Sequence, residues 1–206
     1  MSRIVFFVDG FNVYHALDDN AQYHQYKWLN YAALARCYVT RKDIIEKVLY
    51  FTAYAHWNPA KVARHRILKK ALEVEGVEIV FGKFKKRTKK CRARCKMEYR
   101  TFEEKQTDVN IAIKLFQCAI DDDFDRAIIV SGDGDLIPAV KAVKQSFPAK
   151  EIGLVIPIGR RAEELKQVCD FHMKMKQKHL AVCQFPKTIV IDPAKKIVLQ
   201  RPPTWT

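Results

Sequence analysis

The chain has 206 residues, 49% of them hydrophobic and 29% charged, a length and composition that suit one globular domain with a short appendage and leave little room for two full domains. With 37 Lys and Arg against 23 Asp and Glu, the formal net charge is +14, which suits a polyanionic partner such as nucleic acid or an anionic surface. Seven Gly and eight Pro exclude a collagen-like or low-complexity chain, and no apolar run approaches the ~18 residues of a membrane span.

The apolar run at residues 4–8 ends at Asp9 and predicts a buried strand, followed by a polar, aromatic loop. Residues 29–38 read as a helix and 47–55, rich in aromatic and β-branched side chains, as a second strand. Asn58-Pro59 is a helix start, the periodicity of 60–74 continues it, and Gly76 closes it. A third strand falls at 77–81. Residues 83–105 then break the pattern: eleven Lys or Arg against three Glu give a local +8, more than half of the total excess. Periodicity returns in an amphipathic helix over 107–120. It is followed by a fourth strand (126–130) ending in SGDGD, a helix (136–145), a fifth strand (151–156) and a short helix (162–168). The alternation predicts a mainly parallel sheet covered on both faces by helices, over residues 1–183. In the tail, 184–206, two short strands are expected around Asp192-Pro193, before an irregular end.

The acidic residues fall where ligands bind in open α/β sheets, beyond the carboxyl ends of strands. Asp9 ends the first strand, Asp133 and Asp135 follow the fourth, and Asp108 lies near a helix start. If the first and fourth strands are neighbours, these carboxylates converge. Converging carboxylates repel unless protonated or bridged by a cation, and Mg²⁺ is the hard ion held by such oxygens together with phosphate oxygens. Phosphodiester hydrolysis is the reaction class suggested. The competing reading is that each Asp serves as a turn residue or helix cap. Asp121, Asp122, Asp123 and Asp125 read as a solvated loop.

The segments VDGFN (8–12), EEKQTDVNIAI (103–113) and IIVSGDGDLIPAV, ending at residue 140, resemble the NYN domain family of the PIN-like (FLAP nuclease-like) superfamily, and most nearly its LabA/DUF88-like branch. The resemblance spans about residues 3–180 and implies a three-layer, Rossmann-like α/β/α sandwich with an acidic metal pocket and metal-dependent ribonuclease activity. It implies Asp9, Asp108, Asp133 and Asp135 as ligands of one or two Mg²⁺ or Mn²⁺ ions, with Glu104 as a further, less secure ligand. It also implies that Asn12 orients metal or substrate and that Ser131 assists through its hydroxyl; Lys105 matches the Lys of the EK pair before the helix. Leu136 stands where many relatives have Phe.

The expectation is therefore an intracellular, cytoplasmic endoribonuclease acting on single-stranded or structured RNA, with no membrane partner and the oligomeric state left open. The alternatives are a non-catalytic RNA-binding module and a structure-specific DNA nuclease; a phosphatase with Asp9 as nucleophile fits the residues less well. In the basic insert, Lys83, Lys85, Lys86, Arg87, Lys89, Lys90, Arg92, Arg94, Lys96 and Arg100 are candidates to grip an RNA backbone, and Phe84, Tyr99 and Phe102 to stack on bases; a solvated loop is the alternative. Cys91 and Cys95 supply only half of a tetrahedral zinc site, so two free thiols or a redox pair are favoured over structural Zn²⁺. Cys37 and Cys118 are read as core. His15, His24, His56 and His65 are read as surface or packing residues. Tyr14, Tyr23, Tyr26 and Trp28 either flank the Asp9 site or form a half-buried helix entry.

Overall fold

The computed structural model describes residues 1–91, 97–192 and 194–205. In chain order, the first half comprises β1 (Arg3–Asp9), α1 (Gly10–Asp18), α2 (Tyr31–Arg36), β2 (Ile44–Thr52), α3 (Pro59–Val74), β3 (Glu78–Phe81), β4 (Lys83–Lys90) and β5 (Glu98–Lys105). The second half comprises α4 (Thr107–Ile120), β6 (Arg126–Val130), α5 (Ile137–Ser146), β7 (Glu151–Ile156), α6 (Glu163–Val168), β8 (Phe171–Lys174), α7 (Gln177–Val182), β9 (Thr188–Asp192) and β10 (Ile197–Gln200).

Six strands form one parallel sheet in the order β3-β2-β1-β6-β7-β8. Side chains of a strand alternate between faces, and β1 shows what that does when both faces are covered. Ile4, Phe6 and Val8 join one buried cluster with α1, α2 and α3, through residues such as Val13, Leu34 and Leu72. Val5 and Phe7 join the opposite cluster with α4, α5 and α6, through Leu115, Val143 and Leu165. The molecule is thus a three-layer α/β/α sandwich, as expected. Its strand order reverses between β1 and β6, which places a crevice beyond their carboxyl ends.

Several local features depart from the sequence reading. The expected loop after the first strand is α1, which starts at once because Asp9 caps it, accepting from the Asn12 N–H at 3.0 Å. Gly10 permits this tight turn: a Cβ there would lie 2.6 Å from both the Phe51 carbonyl oxygen and the Tyr50 ring. The basic insert is an antiparallel hairpin, β4 paired with β5 from Lys83↔Lys105 to Lys90↔Glu98. β8 and α7 were not foreseen; each is short and lacks a strong period. Asn58 accepts from Lys61 N–H to start α3, and Gly76, at φ +78°, follows its end, both as expected.

The tail forms the expected two strands, β9 and β10, and then packs on the domain. A 3₁₀ turn at Pro203–Trp205 sets the Trp205 ring 6.3 Å from that of Trp28, while Trp28 Nε1 donates to the Pro186 carbonyl at 2.9 Å. Trp28 is therefore core. Cys118 is buried as expected, but Cys37 is exposed, because α2 stops at Arg36 and leaves Cys37 capping its end. The Asp121–Asp125 carboxylates are more engaged than a solvated loop implies: Arg3 pairs with Asp122 and Asp125, Lys47 with Asp123, and Lys150 with Asp122.

Candidate metal centre

β1 and β6 are hydrogen-bonded neighbours, with Val8 opposite Val130. That register brings the next residue of each strand, Asp9 and Ser131, to the same edge of the sheet. Both are buried, and the Ser131 hydroxyl donates to Asp9 Oδ2 at 2.8 Å. Asp9 Oδ1 takes the Asn12 N–H, so two donors aim at this carboxylate. Burial pushes its pKa up, the two hydrogen bonds pull it down, and Asp133 and Glu104 raise it further.

The chain is drawn together here by short polar links. Asp133 N–H donates to Ser131 Oγ at 3.1 Å, and Asp135 N–H to Asp133 Oδ1 at 3.0 Å, so SGDGD closes into a turn and a 3₁₀ segment, Gly134–Leu136. Asn12 Oδ1 accepts from Gly132 N–H at 3.0 Å and ties α1 to this turn. On the hairpin side, Glu104 Oε1 accepts from Thr107 N–H at 3.1 Å and from the Thr107 hydroxyl, which anchors the start of α4 and hence Asp108.

Asp108, Asp133 and Asp135 each bring a carboxylate oxygen to within 4.8 Å of the other two. Oxygen ligands sit at about 2.0–2.6 Å from Mg²⁺ or Ca²⁺, so two ligands of one ion can be about 4–5 Å apart. The spacing and the all-oxygen donor set fit a hard divalent cation. Electrostatics point the same way: the Asp108 pKa is pushed up to about 6 by partial burial and by Asp9, Asp133, Glu104 and Asp135, a concentration of negative charge that a cation would relieve. Asp9 and Glu104 lie beside this trio and outside it, each already accepting hydrogen bonds.

The sequence reading missed two contributors. Thr107, buried, holds Glu104; its only signal was its place before Asp108. Arg160 backs the SGDGD turn, where a Cβ on Gly132 would lie 3.3 Å from its Cβ, and it pairs with Asp19 at 2.8 Å. Its signal was its position after the carboxyl end of β7, next to β6.

The candidate phosphate-gripping residues Lys83, Lys85, Lys86, Arg87, Lys89, Lys90 and Arg100 are all exposed on the hairpin; Arg92, Arg94, Lys96 and Cys95 lie outside the described residues. Strand alternation puts Lys83, Lys85, Arg87 and Lys89 on one face, where Glu103 meets Lys89 at 2.8 Å, Lys105 at 3.6 Å and Arg87 at 3.7 Å. The other face carries Phe84 and Phe102 onto Trp57; the Trp57 and Phe102 rings stack at 3.9 Å and 4°. One face of Phe102 is therefore already covered, whereas Tyr99 is exposed. Among the described residues, Cys91 has no Cys or His cluster around it, and Cys118 and Cys169 are buried in the core below α4 and α6. His65 is packed, accepting from or donating to Thr52 Oγ1 at 3.1 Å, and burial holds its pKa down at about 4.

A parallel α/β/α sandwich with a carboxylate cluster at its strand-order reversal defines a class of acidic-pocket α/β proteins. The family model described as "NYN domain" matches residues 3–176, so the chain belongs to the NYN domain family and has the PIN-like fold that goes with it. A solved protein of unknown function from Vibrio parahaemolyticus, VPA0982, shares the fold at a TM-score of 0.57 and 20% identity, over 85% of this chain and 94% of that one. A curated protein from Pseudomonas putida named 6-hydroxy-3-succinoylpyridine 3-monooxygenase HspA is 31% identical over 108 residues, which make up 50% of this chain and 33% of that protein. Among the described residues, no helix is long and apolar enough to cross a membrane.

Proposed function

We propose that the protein is a divalent-cation-dependent endoribonuclease. The observation that carries this reading is the meeting of three carboxylates, from the start of α4 and the turn after β6, within 4.8 Å at the strand-order reversal. Asp108, Asp133 and Asp135 would hold Mg²⁺ or Mn²⁺, which supplies Lewis-acid polarisation of a phosphoryl oxygen and a lowered pKa for bound water. Asp9 positions Ser131 through its hydrogen bond, and Ser131 in turn holds the Asp133 backbone. Asn12 fixes the Gly132 backbone, and Glu104 with Thr107 sets the entry of Asp108. These links keep the three ligands in place without rearrangement when substrate arrives, which is how a preorganised site favours a charged transition state.

The basic face of β4 and β5 supports a polyanionic substrate, because its Lys and Arg are exposed on the hairpin whose opposite face carries Glu104, the residue that anchors the start of α4. The test is cleavage of labelled single-stranded RNA and of matched DNA in Mn²⁺, Mg²⁺ or EDTA, with Asp133→Asn alongside. Metal-dependent RNA cleavage that the variant abolishes is expected. RNA binding without cleavage in any metal would favour the non-catalytic module, and DNA cleavage alone the structure-specific nuclease.

A further inference from the structure

A second concavity adjoins the acidic pocket. It has a volume of about 280 Å³ and lies between α1, α3 and the root of the hairpin. Aromatic rings dominate its walls: Phe11, Tyr14, Trp57, Phe84 and Phe102. Lys61 and Arg64, from the first turns of α3, add positive charge at its edge. Trp57, which lines the cleft, remains 41% exposed although two neighbouring rings pack on it.

Three properties narrow what would enter. The volume sits just below the ~300–1,000 Å³ of pockets that hold drug-sized molecules, so it admits one flat ring system and excludes a folded chain. Aromatic walls favour a planar π-system, since every base presents a π-face to stack on. The cationic edge favours a ligand that carries an anion beside its ring. A nucleotide has both features.

The position completes the argument. Phe11, two residues after Asp9, lines the cleft while Asp9 and Asn12 on either side of the Gly10-Phe11 pair join the acidic-site network. Phe84 stands opposite Glu104 across the hairpin, and Glu104 anchors the helix that carries Asp108. The two concavities therefore share the start of α1 and the hairpin root. We propose that the aromatic cleft is a nucleobase subsite, which stacks one unpaired base of an RNA chain while Lys61 and Arg64 take an adjoining phosphate. What lies beside that base, a scissile phosphodiester at the carboxylates, rests on the nuclease reading above.

The test separates bases from backbone. Binding of a short single-stranded oligoribonucleotide is compared in EDTA, at matched salt, with that of the same sugar–phosphate chain lacking all bases. Wild type should prefer the intact RNA by at least about 5-fold, the lower end of what one base–aromatic stack contributes. Ala55→Phe fills the cleft and leaves the carboxylates and the exposed basic face of the hairpin unaltered; it should bring the preference towards unity. Phe11→Leu, which keeps bulk and removes a π-face, should reduce it in the same direction, so the test survives if the filled variant does not fold. Equal binding of both ligands by wild type, or an undiminished preference in both variants, would overturn the subsite. Because these measurements need no cleavage, a preserved base preference without nuclease activity would sink only the nuclease reading, and metal-dependent cleavage without base preference only the subsite.

Discussion

Replacing Ser131 by Ala should lower stability by an amount that the surrounding bonds define. The side chain is buried; its hydroxyl donates to Asp9 Oδ2 at 2.8 Å and accepts the Asp133 N–H at 3.1 Å. Losing a buried hydrogen bond to a charged group costs about 1.5–3 kcal/mol, and stranding the Asp133 N–H adds about 0.5–1.5 kcal/mol. The sum, about 2–4.5 kcal/mol, corresponds to a fall in Tm of about 4–18 °C for a chain of this size, at about 2–4 °C per kcal/mol. Thermal unfolding followed by circular dichroism at pH 7 in EDTA measures it. The double variant Ser131→Ala/Asp9→Asn should be less unstable than the two single losses summed, by at least about 0.5 kcal/mol, because a neutral amide at position 9 no longer demands the missing donor. A Tm shift below about 2 °C for Ser131→Ala, or strict additivity in the double variant, would refute the picture of Asp9 as a buried carboxylate held by these donors.

Other outcomes follow from the same structure. Adding Mn²⁺ should raise Tm, by about 2.7 kcal/mol of stabilisation at 100 times its Kd, and Asp108→Asn should remove most of the rise; an equal rise in the variant would place the ion elsewhere. His65, whose folded pKa is depressed to about 4 from an unfolded value of 6.5, contributes stability that is present above pH 6.5 and lost as pH falls towards 4, about 3 kcal/mol in all. Urea titrations of His65→Gln between pH 4 and 7 should show a flatter profile than wild type, and parallel profiles would refute the assignment. Gly10→Ala should destabilise by about 1–3 kcal/mol, because the new Cβ meets the Phe51 carbonyl at 2.6 Å, which is backbone and cannot swing away; an unchanged Tm would contradict the tight turn. Lys85→Ala/Arg87→Ala on the hairpin should weaken RNA binding and flatten the plot of log K against log salt by about 0.7 for each phosphate that is no longer neutralised, whereas an unchanged slope would take the hairpin out of the interface.

Much of this was legible in the order of residues. Continuous apolar runs such as 4–8 and 126–130 declare strands buried on both faces, and helix signals such as Asn58-Pro59 and Gly76 are local: a side-chain acceptor, a preset φ and a tolerated positive φ act within a few residues. The ends of α4, β6 and β7 could be read to the residue for that reason. The placement of Asp9, Asp108, Asp133 and Asp135 beyond strands or at a helix start was equally plain, and the NYN resemblance rested on those positions.

What sequence order could not supply was anything that depends on which strands are neighbours. Asp9 and Ser131 meet because β1 and β6 pair, a contact across 122 residues that no local period encodes. The same pairing adds the Ser131 hydroxyl to the Asn12 N–H that Asp9 already accepts as a local cap, while Asp108, Asp133 and Asp135 face one another. The run of Lys and Arg after residue 82 broke the strand–helix pattern because charge repulsion disfavours order in isolation; pairing with β5 across the hairpin, Glu103 among its cations and Trp57 beneath its root make it a ribbon. Local sequence sets the conformational preference of each segment, since those interactions close within a turn or a strand. Tertiary packing alone decides which carboxylates meet and which rings share a cleft, since both depend on distances between residues far apart in the chain.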